Sequence, residues 1–178
     1  MPIRSRSPRA IGSTRHKDGC CNVCAILPQR GARMSDVRDK ADAVFVRLRS
    51  LFIWMADLVR WGVPEHWASH IDAYEAGLAI ADDCDGFALT AAEALLRSGV
   101  PPAQIWIVCC WTETGDYHCV CFAVEIKDGA TVAWVMDNRQ RSVWRHDRLP
   151  YRWDKGHTYD APADWFSLRN MNDDGRGA

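Results

Sequence analysis

The sequence predicts an α+β fold, with helices in the first half packed on an antiparallel sheet in the second. Three observations predict it. Apolar residues recur at three- and four-residue steps from Val37 to Met55 and again from Phe87 to Leu96, the period of one buried helix face. After Pro101-Pro102 the period drops to two, the pleat of a strand. Asp128-Gly129 then stands between two strand-like runs, a signal for a tight hairpin and so for antiparallel pairing.

The length of 178 residues suits one domain with a proper core plus some tail. Residues 1–33 hold seven Lys/Arg against one acid, Asp18, while the remainder holds fifteen basic against twenty-two acidic residues. A basic leader thus precedes a mildly acidic body, which carries no nucleic-acid footprint. Rich in Arg, Ser, Pro and Gly and without periodicity, residues 1–34 read as a disordered leader. Met34 stands directly before the patterned sequence and is a candidate start. No apolar h-region marks a secretory signal, and the longest apolar run, Leu51 to Ala56, is too short to span a bilayer. These features predict a cytoplasmic, soluble protein. Eight cysteines occur, Cys20, Cys21, Cys24, Cys84, Cys109, Cys110, Cys119 and Cys121, at spacings poor for disulfides, so most are expected reduced and buried. Cys21-x-x-Cys24 near His16 is half of a zinc motif whose second half is missing.

The first helix is expected from about 36 to 60. Ser35 is a suitable N-cap, Asp36 and Asp39 lie in the first turn, and Gly62-Val63-Pro64 interrupts the pattern. A short helix over Ile71 to Ile80 follows a linker containing His66 and His70, both read as solvated or structural. Asp82-Asp83-Cys84-Asp85-Gly86 then leads into the helix that Gly99 ends. Cys84 sits in its first turn, where free N–H groups and the positive dipole end favour a thiolate and can hold an oxyanion.

Gln104 to Trp111 is a strand apolar on both faces, hence central. Tyr117 to Ile126 and Thr131 to Asp137 are the next two, and Arg145 to Trp153 a further one. The domain is expected over residues 35–169, with a loose tail over 170–178. With Asp128-Gly129 as the two loop residues, Val124 faces Ala133, Phe122 faces Val135 and Val120 faces Asp137. His118 then lies diagonal to Asp137, within reach of a hydrogen bond. The same face carries Phe122, Val124 and Val135, on which the Cys84 helix is expected to pack, bringing Cys84, His118 and Asp137 together. A thiol nucleophile, an imidazole that moves its proton and a carboxylate that fixes the imidazole tautomer form a competent set for amide cleavage through an acyl-enzyme.

The order Cys at a helix start, His on one strand and Asp on the next resembles the bacterial transglutaminase-like cysteine peptidases, within the papain-like group. The carrying segments are Trp61-Gly62-Val63-Pro64-Glu65-His66-Trp67, Asp83-Cys84-Asp85-Gly86-Phe87-Ala88, Tyr117-His118-Cys119-Val120 and Val135-Met136-Asp137-Asn138. The resemblance implies a transglutaminase-like (papain-like) fold and a cysteine peptidase acting on a protein or peptide. It implies Cys84 as nucleophile, His118 as base and acid, and Asp137 as the orienting residue. It also implies calcium on the acids flanking the cysteine, Asp83 and Asp85; the same two acids read equally as helix caps. The chemistry itself requires no cofactor. Two positions depart from the family pattern: Gly86 stands where a second acid is common, and Asp82 where Gly is. The alternatives are acyl transfer to an amine on the same triad, a catalytically silent binding module, and a zinc-assisted interaction protein built on the leader.

Overall fold

The computed structural model describes residues 36–55 and 67–172. The leader with its Cys21/Cys24 pair, Ser35, the Gly62–Pro64 break and His66 lie outside the described residues.

Helix α1 (Asp36–Leu51) buries Val37, Ala41, Val44, Phe45 and Leu48, the predicted stripe. It ends nine residues earlier than expected. Phe52-Ile53-Trp54 leave the helix as β1, pairing parallel to β2 (Ile80–Asp82) in the register Phe52↔Ile80 to Trp54↔Asp82. Aromatic and β-branched residues suit a strand, and Phe52 keeps its buried place by meeting the Phe87 ring edge-on at 4.9 Å. Helix α2 spans Ile71–Ala76, so Ile80 belongs to a strand and not to a helix. Helix α3 (Cys84–Arg97) forms as predicted and buries Phe87, Ala88, Ala91, Ala92 and Leu95. Truncating a buried ring such as Phe87 to Ala would cost about 3–5 kcal/mol.

A six-stranded sheet follows, in the order β6-β5-β4-β3-β7-β8. Its strands are β3 (Ile105–Trp111), β4 (Tyr117–Lys127), β5 (Ala130–Met136), β6 (Trp144–Arg145), β7 (Arg152–Thr158) and β8 (Phe166–Ser167). All neighbours are antiparallel. The β4–β5 hairpin has the predicted register, with Phe122↔Val135, Val124↔Ala133 and Lys127↔Ala130 around a two-residue loop. Asp128 and Gly129 both take positive φ (52° and 79°), the demand of a type I′ turn. The single strand expected over 145–153 is instead β6, a 3-10 turn (His146–Arg148) and the start of β7. Asn170 and Met171 are not loose: they lie in a 3-10 turn (Arg169–Asn172), and Met171 packs against the core.

One expectation is overturned. Helices α1 and α3 cover the face bearing Cys119, Cys121 and Ala123 with Ile105, Ile107, Trp134 and Met136. The face of Val120, Phe122 and Val135 packs instead under Leu149, Tyr151, Trp153 and Leu168 from the C-terminal segment. Both faces of β4 are apolar, so both are buried, and parity alone does not assign the helix to either. Among the described residues no helix is long and apolar enough to cross a membrane.

Candidate active site

The site forms at the end of the sheet where β3 turns into β4 and β5 stops. Asp83 is the N-cap of α3, its Oδ1 accepting the Asp85 N–H at 3.3 Å, which starts the helix at Cys84. Asp82, the last residue of β2, accepts the Asp83 N–H on Oδ1 at 3.0 Å and pairs through Oδ2 with His70 Nε2. Gly86 and Asp82 are linked in space. A Cβ on residue 86 would lie 2.1 Å from Asp82 Oδ2, so Gly86 clears the space that the Asp82 carboxylate fills.

β5 pairs with β4 only as far as Met136↔Cys121. The N–H of Cys119, which alternation points toward β5, finds no strand there and favours the Cys84 thiolate. The chain continues past Met136 into Asp137, whose carboxylate is fully buried. Asp137 Oδ1 receives His118 Nε2 at 2.8 Å, the diagonal pair the hairpin register predicts. It also accepts the Arg139 N–H at 2.8 Å, and Oδ2 accepts the Tyr151 hydroxyl at 2.6 Å. Burial pushes the Asp137 carboxyl up, but His118, Tyr151 and the Arg139 N–H outweigh it and hold the group below the usual carboxylate range.

Tyr151 in turn accepts from Gln140 Nε2 at 3.0 Å. The Arg139 guanidinium lies over its ring and grips Glu113 through two bonds, the shorter 2.7 Å. Sequence reasoning missed this support. Tyr151 stands among the aromatics Trp144, Trp153, Tyr159 and Trp165 of the C-terminal segment, and nothing in the spacing ties it to Asp137.

Cys84 and His118 line one cavity of about 620 Å³ with Arg49, Trp54, Asp116 and Asn138. His118 commits Nε2 to Asp137, leaving Nδ1 as the nitrogen for the thiol. Asn138 is buried and lines the same cavity, with Oδ1 unpartnered. The expectation of a resting thiolate at Cys84 is reversed. Burial pushes the thiol up to about 12, and the Asp83 and Asp85 charges push the same way, against the N–H groups of Cys119 and Cys84 itself. The helix N-terminus favours the thiolate, but two acids in the same turn and a half-buried position favour the proton.

Asp83 and Asp85 are both buried, and one ligand atom from each lies within 4.8 Å of the other and of the Cys84 sulfur. Two converging buried carboxylates are a hard donor pair that suits calcium; the sulfur does not. Asp83 also caps the helix, so the two readings of these acids coexist.

A model of the bacterial transglutaminase-like cysteine proteinases matches residues 14–173. Among solved structures the chain is similar to LapG of Legionella pneumophila at 16% identity and TM-score 0.58, over 75% of this chain and 70% of that one. Calcium-bound LapG from the same organism aligns over the same shares at 16% identity and TM-score 0.59. The EGTA-treated form aligns at 18% identity and TM-score 0.54, over 67% of this chain and 62% of that one. No curated protein sequence matches the chain.

Proposed function

Because the chain belongs to the bacterial transglutaminase-like cysteine proteinases, and is therefore a cysteine peptidase with a protein substrate, we propose that Cys84, His118 and Asp137 are its catalytic triad and that it cleaves amides through a thioester. The observation that carries this reading is the buried 2.8 Å bond from His118 to Asp137 beside the cavity that Cys84 and His118 share.

The mechanism follows from the protonation state of the thiol. Burial and the two flanking acids favour the neutral Cys84 thiol, so attack on the substrate carbonyl carbon is accompanied by transfer of its proton to His118 Nδ1. Asp137, held ionised, fixes the tautomer with hydrogen on Nε2 and stabilises the imidazolium. The carbonyl oxygen gains negative charge beside the start of α3, where the Cys84 N–H is a donor. The imidazolium then protonates the leaving amine as the C–N bond breaks, and the acyl group stays on sulfur. Water, deprotonated by the same imidazole, hydrolyses the thioester and restores the thiol. The Asn138 Oδ1 is an acceptor for a substrate backbone N–H. Asp83 and Asp85 would hold calcium, whose charge offsets theirs beside the thiol.

A peptidyl electrophile such as a vinyl sulfone or acyloxymethyl ketone library tests the triad. Covalent mass is expected on Cys84 in the native chain, absent in Cys84→Ala and strongly reduced in His118→Ala. Labelling spread evenly over the five cysteines of the sheet and α3, or equal in His118→Ala, would remove the triad.

A further inference from the structure

Cys109 and Cys119 stand directly opposite each other on the two central strands. Thr112 N–H donates to the Asp116 carbonyl at 2.9 Å, which makes residues 112 and 116 a hydrogen-bonded pair. Alternation makes Cys110 and His118 the next such pair, so Cys109 and Cys119 occupy the non-hydrogen-bonded site between. Cα atoms approach to about 4.5 Å at such sites, inside the range a disulfide spans. The two thiols act on each other's titration, and the Tyr117 hydroxyl donates to Asp154 Oδ2 at 3.1 Å. Both are free and buried, but Tyr117 is about half exposed and lines the same cavity as Cys84. That gives a small oxidant a way in. Neighbouring cysteines are set differently: Cys110 faces the other layer, and Cys121 lies opposite Ile107.

We propose that Cys109 and Cys119 are a dithiol site that a hydroperoxide converts to a disulfide across the two central strands. In the first step Cys109 sulfur attacks the peroxide oxygen; the O–O bond breaks, the sulfur is oxidised by two electrons to a sulfenic acid, and an alcohol (or water) leaves. In the second, Cys119 sulfur displaces hydroxide from that sulfenic acid, which departs as water with the thiol proton. The sum is two thiols and one hydroperoxide giving one disulfide, one alcohol and one water. Cys109 is the attacking partner. The neighbouring Cys119 thiol and Tyr117 lower the Cys109 thiol against its burial, while Cys109 and burial raise Cys119.

The test treats the full chain with tert-butyl hydroperoxide, blocks remaining thiols in denaturant and digests with Asp-N protease. Cuts before Asp85, Asp116 and Asp128 leave Cys109 with Cys110 on one fragment and Cys119 with Cys121 on another. The expected product is the two fragments joined and two hydrogens lighter, separated again by dithiothreitol, with fragmentation spectra placing the link at 109 and 119. The link should persist in Cys110→Ala and vanish in Cys109→Ala. Should Cys109→Ala fail to fold, the fragmentation assignment on the native chain decides alone. Fragments that stay reduced, or a link placed on Cys84, Cys110 or Cys121, would overturn the proposal.

Discussion

Replacing Tyr151 by Phe deletes one atom and leaves the ring in place against Trp153 and His118. Asp137 Oδ2 then loses its 2.6 Å donor, and Gln140 Nε2 loses its acceptor. A hydrogen bond to a buried charged acceptor is worth about 1.5–3 kcal/mol, so about 2 kcal/mol of stability should go at neutral pH. For a domain of this size that lowers the midpoint by roughly 4–8 °C. The pH dependence separates the bond from simple packing. Asp137 is held below its ordinary value of 3.8, so its contribution is present above that value and lost as pH falls through the depressed one. Urea unfolding of both proteins should therefore show the full gap at about pH 7 and 5 and a closing gap below about pH 4. Alkylation of Cys84 by iodoacetamide at neutral pH should slow as well, because the imidazole is less firmly oriented. A gap of equal size at every pH, or one below about 0.5 kcal/mol, would refute the view that Tyr151 acts through the Asp137 charge.

His118→Ala should slow iodoacetamide labelling of Cys84 at neutral pH by roughly a hundredfold or more, the lower edge of a general-base contribution; peptide mass spectrometry gives the rate, and an unchanged rate counts against His118 as the proton acceptor. Gly86→Ala forces the Asp82 carboxylate off its place and should cost about 1–3 kcal/mol, read by thermal unfolding, with the His70 ring resonances shifting as its partner moves. Calcium should raise the unfolding midpoint, by about 2.7 kcal/mol of stability at a hundredfold excess over Kd, and Asp85→Asn should weaken that gain. Equal gains in both proteins would exclude Asp85 as a ligand.

The register of the β4–β5 hairpin was legible because Asp128-Gly129 dictates a two-residue loop, and once the loop is fixed every opposite pair follows. That is why the His118–Asp137 bond could be placed from sequence. The face that α3 covers was not legible. Cys119, Cys121 and Ala123 are as apolar as Val120 and Phe122, and a strand buried on both sides carries no inside–outside signal. The end of α1 was hidden for a related reason: Phe52 fits both the helical stripe and strand β1. Tyr151 left no signal at all, since its hydroxyl reaches Asp137 only through tertiary packing. The thiol state of Cys84 was misread by weighing the helix terminus without the burial that the packed sheet imposes.

Yet Cys84 shares a cavity with His118 although α3 lies on the opposite layer from Tyr151, and strand lengths explain how. β4 runs beyond the end of β5, so Cys119 presents an N–H to open space at the point where β5 yields to Asp137. The first turn of α3 lies on one side of that space, where the Cys119 N–H favours the Cys84 thiolate. Asp137 and Tyr151 close it from the other, with His118 one residue away on the same strand. The cavity at the sheet's end is thus lined from both layers, by Cys84 from α3 and by His118 from β4, without either crossing the sheet. On this account, lengthening β5 by two paired residues would bring residue 138 opposite Cys119, return the Cys119 N–H to the ladder and withdraw it from Cys84, leaving the His118–Asp137 bond to stand or fall separately.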